Sequence, residues 1–144
     1  MEALPPIEWR VHLKSPREEA FAAWTTDSGR ARFWAEESCE TQGGFALRFV
    51  NGEALEVGLL EASPPSRLVF RYFGGSTVTV NFAPDGQGGC DVHLREDGVP
   101  PEEHLENFAG WVSVLLALKA AVDFGVDLCA HDPSRSWDQR HVDN

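Results

Sequence analysis

Two side chains in this sequence stand where ionisable groups are seldom found. Glu96 continues the phase of Val92 and Leu94, and Lys119 falls on the apolar stripe of a long helical segment, so either can point inward. A charge taken out of water is costly unless paired, and an inward Lys119 therefore asks for a carboxylate, either Glu96 or an acidic group on a ligand. The other reading puts Lys119 at the edge of the stripe with its stem reaching water. Acid–base chemistry would draw on Glu96, Tyr72 or His93, although His93 alternates with Val92 and Leu94 and should face outward. Nucleophilic catalysis has little support. No GxSxG elbow is present, and Cys39, Cys90 and Cys129 lack local histidine and acid companions. Cys90 reads as a small buried hydrophobe. Cys129, His131, Asp132 and His141 share the tail without an HExxH or a repeated cysteine spacing, so neither a metal site nor a cofactor is assigned. Gly86 to Gly89 make a turn rather than a phosphate cradle, because no helix follows them.

Aromatic residues are the second chemical resource. Trp9, Trp24, Phe33, Trp34, Phe45, Phe49, Phe70, Tyr72, Phe82, Phe108 and Trp111 can fill a core or line a pocket. The candidate ligand-binding set is Trp24, Trp34, Phe49, Phe70, Tyr72, Val80, Glu96, Trp111, Leu115 and Lys119, with Trp34 at the mouth and Trp111 inside.

The elements that must position these groups follow from periodicity. Residues Pro101 to Leu128 read as one long helix, with Leu105, Phe108, Trp111, Val112, Leu115, Leu118, Lys119 and Val122 on one stripe. Its acids cluster in the first turns, where they suit the helix dipole, and Gly125 is a candidate stop. Gly110 inside it suggests a strand or ligand close to the backbone. Ile7, Trp9, Val11 and Leu13 alternate with polar residues as a half-buried strand. Ser15, Pro16 and Glu18 then form a predicted capping box for a short helix, and a second short helix runs from Asp27, as its cap, to about Trp34. From Glu37 onward, turn residues at hairpin spacing separate five strands whose apolar faces run through Phe45, Leu47 and Phe49; Leu55, Val57 and Leu59; Leu68, Phe70 and Tyr72; Val78, Val80 and Phe82; and Val92 and Leu94. With the first strand they make a curved antiparallel sheet of the α+β class, its one greasy face matched to the long helix.

The sequence has 144 residues, 42% hydrophobic and 24% charged, which fits a single domain over 1–144 with an irregular polar tail from 129 to 144 pinned by Trp137. A formal net charge of −11 argues against nucleic acid, which needs clustered Lys and Arg. No apolar run suggests membrane insertion and the N-terminus does not read as a signal peptide, so a cytoplasmic monomer or homodimer is expected. Three scattered cysteines indicate no disulfide framework.

Particular stretches carry a resemblance. The run from Ser15 to Thr25 resembles the opening of the first helix in the START-like helix-grip superfamily, the SRPBCC proteins. Phe33-Trp34 resembles the end of its second helix, and Gly110-Trp111 with Leu115, Leu118 and Lys119 resembles its C-terminal helix signature GWxxxLxxLK. His131-Asp132-Pro133, Trp137 and Val142-Asp143-Asn144 are similar to the ending of a bacterial branch related to the activator of the ninety-kilodalton heat-shock chaperone's ATPase. The resemblance implies a helix-grip fold: a curved antiparallel sheet around a long C-terminal helix, two short helices after the first strand, and a cavity between sheet and helix. Three functions are expectations: binding of a small hydrophobic or amphipathic ligand, a co-chaperone-like contact with a heat-shock ATPase, or cyclase- or hydrolase-like chemistry in the cavity.

Overall fold

The computed structural model describes residues 4–144. Alternating residues bury one side of β3, β6 and β7, and hydrogen bonding joins seven strands into one antiparallel sheet: β1 (Ile7–Leu13), β2 (Glu37–Thr41), β3 (Gly44–Arg48), β4 (Ala54–Ser63), β5 (Arg67–Arg71), β6 (Thr77–Pro84) and β7 (Cys90–Asp97). The order is β1-β7-β6-β5-β4-β3-β2, so consecutive strands pair from β2 to β7 and β1 closes against β7. The register sets Glu96 opposite Ile7 on one side and Val78 on the other. That places a carboxylate among fully buried aliphatic side chains.

One strand more than expected is present. β2 reads ESCET and has no apolar face, so hydrophobic alternation does not reveal it; a charged edge strand of this kind also discourages further pairing. In β4, Val57 is buried but Leu59 is exposed, because the register shifts between Leu59 and Glu61 and turns the strand. At Gly44 a side chain would collide with the Val57 carbonyl, which explains the glycine where β3 meets β4.

The long helix α3 spans Pro101–Phe124 and stops short of Leu128 because Gly125 takes a left-handed conformation, its N–H bonded to the carbonyls of Ala120 and Ala121. Trp111, Leu115, Ala117, Leu118 and Ala121 are buried against the sheet. The stripe holds only in this C-terminal part: Leu105 is 79% exposed, and Phe108 and Val112 are also exposed. Gly110 has nothing close by among the described residues, so the expected backbone approach does not occur. One 18-residue window of α3 reaches a mean hydropathy of 1.4, long and apolar enough by composition to cross a membrane although no unbroken apolar run marks it; a third of it is buried inside the protein.

Two short helices bridge β1 and β2. Helix α1 (Arg17–Thr25) begins after Pro16 without a side-chain cap, and α2 (Asp27–Arg30) is capped by Thr26 rather than Asp27, then continues as turns to Trp34. Ser15 is diverted from capping because its hydroxyl donates to the Val122 carbonyl. Its N–H and that of Lys14 donate to the Asp123 carboxylate, and Lys119 donates to the same carboxylate at 3.2 Å and to the His12 carbonyl at 2.6 Å. Burial works against the charge on Asp123, yet these donors hold its carboxyl below the usual range. Arg32 donates to the Ala121 carbonyl at 2.6 Å and so also ties down the end of α3.

The tail folds back over the sheet edge. Trp137 packs edge-on against Phe49 with ring centroids 5.6 Å apart, so it pins the tail as expected. His131 stands between two carboxylates, Glu36 at 2.8 Å and Asp127 at 2.6 Å, and these hydrogen bonds raise its pKa above 6.5. Because the folded-state pKa is raised, the stabilisation is complete below about pH 6.5 and is lost as pH rises through the folded value. Amide exchange of residues 127–137 should therefore quicken as the pH rises above about 6.5 beyond the intrinsic rate change, and His131→Gln should abolish that extra step; an identical profile in the variant would refute the assignment.

Candidate functional site

Trp24 comes from α1, Trp34 from the turn after α2, Phe70 from β5 and Trp111 from α3, and the fold drives them together. Trp24 lies 5.0 Å from Trp34 between centroids and 6.3 Å from Trp111, while Trp34 lies 5.2 Å from Phe70 and 6.1 Å from Trp111. Tyr72 completes the cluster 5.0 Å from Trp111. All but Tyr72 are buried. Ring stands on ring where an open chamber between sheet and α3 was expected. Under the tail, beside Trp34, Phe49 and Trp137, a void of about 10 Å³ remains, room for about one water.

Polar groups line the edge of this cluster. Trp34 Nε1 donates to the Tyr72 hydroxyl at 3.2 Å. Tyr72 is half-buried as a residue, but its hydroxyl lies inside, and burial with the nearby Glu96 pushes its pKa well above the ordinary value. Glu96 is fully buried. Its carboxylate accepts from Ser76 Oγ at 2.6 Å, from Trp111 Nε1 at 2.9 Å and from Asn107 Nδ2 at 3.3 Å. Among the described residues no ion pair involves Glu96; Lys119, one of the two partners weighed for it, instead pairs with Asp123 at the far end of the helix with its side chain 35% exposed. That is the edge-of-stripe reading, and it removes Lys119 from the interior.

A larger opening lies on the other flank. Between α1, α2, the β2–β3 hairpin and the turn after β4 is a cleft of about 580 Å³, within the range of small-molecule sites. Phe21, Trp24, Phe45 and Leu68 wall it, Arg30 and Thr41 sit in its lining, and Glu40 and Gln42 are at its exposed rim. The bulge in β4 lies at this end, with Leu59 and Ala62 in the lining. Arg30 is 2% exposed: it donates to Asp27 at 2.7 Å, to Ser38 at 2.8 Å and to the Trp24 carbonyl at 3.1 Å, and stacks 4.0 Å over Phe45.

Of the ten residues singled out from the sequence, only Trp24 lines this cleft. Trp34, Phe70, Tyr72 and Trp111 are brought together with it as packed rings; Val80 and Leu115 are buried in the core beside them; Phe49 belongs to the tail contact with Trp137 and Phe73. Glu96 points inward as expected but lines neither opening, which removes support for acid–base chemistry there. Phe21, Arg30, Thr41 and Leu68 line the cleft and are outside the sequence-derived set, while Phe45 stands there only among the aromatic residues that fill a core or line a pocket. The Asp27–Arg30 spacing was the available signal for one of them, since an arginine three residues after an acid on a helix can be buried as a pair. His93 faces out and pairs with Glu8, as expected. Burial pushes the thiols of Cys90 and Cys129 up to about 11 and about 12, so neither is an activated nucleophile.

The Glu96 arrangement should matter for stability. Removing one neutral donor leaves a buried carboxylate short of a partner, so Ser76→Ala should cost about 1–3 kcal/mol in urea unfolding. Glu96→Gln, which keeps shape and acceptor, should cost less than Glu96→Ala; equal losses would show that the hydrogen bonds contribute nothing.

Comparison with known proteins agrees with this architecture. No curated protein matches the chain. Among solved structures, a protein from Staphylococcus saprophyticus superimposes with a TM-score of 0.74 at 23% identity, over 85% of this chain and 95% of that one. The Aha1 dimer from Colwellia psychrerythraea gives 0.74 at 19% identity, over 85% and 98%. The AHSA1-like protein from Aeromonas hydrophila gives 0.67 at 23% identity, over 84% and 94%. At such identities these likenesses speak for the fold alone. The model of the family described as "Activator of Hsp90 ATPase homolog 1-like protein" matches residues 14–123, which spans α1 to the end of α3, and the chain belongs to that family, within the helix-grip superfamily.

Proposed function

We propose that the chain is a cytoplasmic protein that holds a small, mainly apolar molecule, without covalent chemistry, in the cleft between α1 and the β2–β3 end of the sheet. The observation that carries this is an opening of about 580 Å³ walled by Phe21, Phe45 and Leu68, side chains of the kind that otherwise fill a core. This moves the ligand from beneath α3, where the rings are packed, to the flank where the sheet bends. Native mass spectrometry of freshly purified protein should show a defined extra mass that is lost on denaturation. Ala62→Trp, which adds bulk at an exposed lining position, should remove it. Agreement of native and denatured masses, together with no binding of apolar probes, would rule the reading out.

A second reading rests on a different surface. Leu105, Phe108, Val112 and Leu116 leave α3 with an exposed apolar face, and the family's description names an ATPase activator. We propose that this face meets a heat-shock ATPase, the Colwellia dimer suggesting a second copy as the competing occupant. Purified chaperone should hydrolyse ATP faster with this protein, and the double substitution Leu105→Glu with Leu116→Glu should abolish the gain. An unchanged rate with the native chain would remove this reading.

A further inference from the structure

One uncompensated charge in the lining narrows what the cleft can hold. Glu40 lies on β2 directly opposite Phe45 of β3, and residues paired across an antiparallel ladder project from the same face of the sheet. The Glu40 side chain therefore stands on the face that carries the buried Phe45 ring, and both residues line the cleft. Its place on the strand is fixed, since the Glu40 N–H donates to Asp27 Oδ2 at 3.2 Å. Glu40 is exposed, so a molecule entering the cleft can reach its carboxylate.

Among the described residues no cation pairs with that carboxylate. The arginines of this end of the sheet are engaged elsewhere: Arg48 with Glu37, Arg67 with Glu61, and Arg30 with Asp27, Ser38 and the Trp24 carbonyl. Both lysines stand beside the C-terminal end of α3, Lys14 over the Phe124 ring and Lys119 on Asp123. Arg30 and Asp27 neutralise each other, which leaves Glu40 as the unmatched charge of the lining. Beside apolar walls a carboxylate and a cation attract more strongly than they do in open water.

Resting on the ligand-binding reading above, we infer that the cleft takes an amphipathic amine, its apolar body between Phe21, Phe45 and Leu68 and its protonated nitrogen at the rim against the Glu40 carboxylate. The walls supply most of the affinity, and Glu40 supplies the selection. An anion of the same shape meets like charge at the mouth on a chain that carries −11 overall. A neutral molecule keeps the apolar contacts and leaves Glu40 to water.

The experiment compares three probes that share a ring system and differ in charge: 2-naphthylmethylammonium, 2-naphthalenemethanol and 2-naphthoate. Each is titrated calorimetrically into the full chain near neutral pH, at low and at high salt. At low salt the ammonium should bind about two- to fivefold tighter than the alcohol, the margin of a partly exposed ion pair, with the naphthoate weakest; the margin should shrink at high salt. Glu40→Gln should bring the ammonium down to the alcohol and leave the alcohol unchanged. Glu56→Gln removes the same charge from the opposite face of the sheet, next to buried Val57, and should leave the margin intact. Equal affinities for ammonium and alcohol in the native chain would overturn the inference. A margin that survives Glu40→Gln, or falls as far in Glu56→Gln, would assign it to the general field of the chain and overturn it too, as would tightest binding of the naphthoate. In each of those cases the binding reading stands as long as Ala62→Trp weakens the alcohol. Failure of all three probes to bind, or binding indifferent to Ala62→Trp, would remove the binding reading itself.

Discussion

The contact of the Trp24 indole with its neighbours is the constraint on which this molecule depends. Trp24 belongs to α1, yet its ring meets Phe33 and Trp34 from the turns after α2, Phe70 from the middle of the sheet and Trp111 from α3. Every layer of the fold touches one side chain. Truncating a tryptophan in such a position costs about 3–5 kcal/mol, a large share of the 5–15 kcal/mol that usually separates folded from unfolded chains. The same ring cluster decides where space is left. With the gap beneath α3 filled by aromatic packing, the opening falls where β4 slips register and the β2–β3 hairpin turns away from α1.

Two buried carboxylates give this packing its direction, Glu96 through neutral donors and Asp123 through backbone N–H groups together with its ion pair to Lys119. Glu96 fixes Trp111 by accepting its indole proton and fixes the turn between β5 and β6 through Ser76, so the middle of α3 is held in register with the sheet. Asp123 fixes the other end of the helix to the corner between β1 and α1 through two backbone N–H groups. Both rely on donors that are themselves held in place by the backbone or by packing, which suits a charge in a medium that screens poorly. Hydrophobic burial attaches α3 to the sheet, and these two carboxylates determine its rotation and its longitudinal position.

Much of this was legible in the sequence. The alternation of Val78, Val80 and Phe82 and of Val92, Leu94 and Glu96 described β6 and β7 and correctly turned Glu96 inward, because a period of two admits only two faces. Trp111, Leu115 and Leu118 were legible for the same kind of reason. Leu105 and Val112 share their period but lie beyond the edge of the surface that α3 covers, and periodicity does not say how far the partner surface extends. Lys119 found Asp123 one helical turn away, a local pairing that fits the edge-of-stripe reading of its position. The cleft was not legible at all: it depends on a bulge in β4 and on a polar edge strand, β2, neither of which leaves an apolar pattern. Phe21, Phe45 and Leu68 therefore read as ordinary core residues.

From Asn107 to Leu118, α3 carries no charged residue, and its outer side over that stretch is exposed. The molecule thus presents a sticky strip on a body whose remaining surface bears most of a net charge of −11. Two copies approaching each other feel the like charge first and the apolar strip only at contact. The range of that repulsion is set by the solution, about 10 Å at 0.1 M salt and much shorter at higher ionic strength. The encounter frequency of the strip is therefore governed by the salt around the protein as much as by the shape of the protein itself.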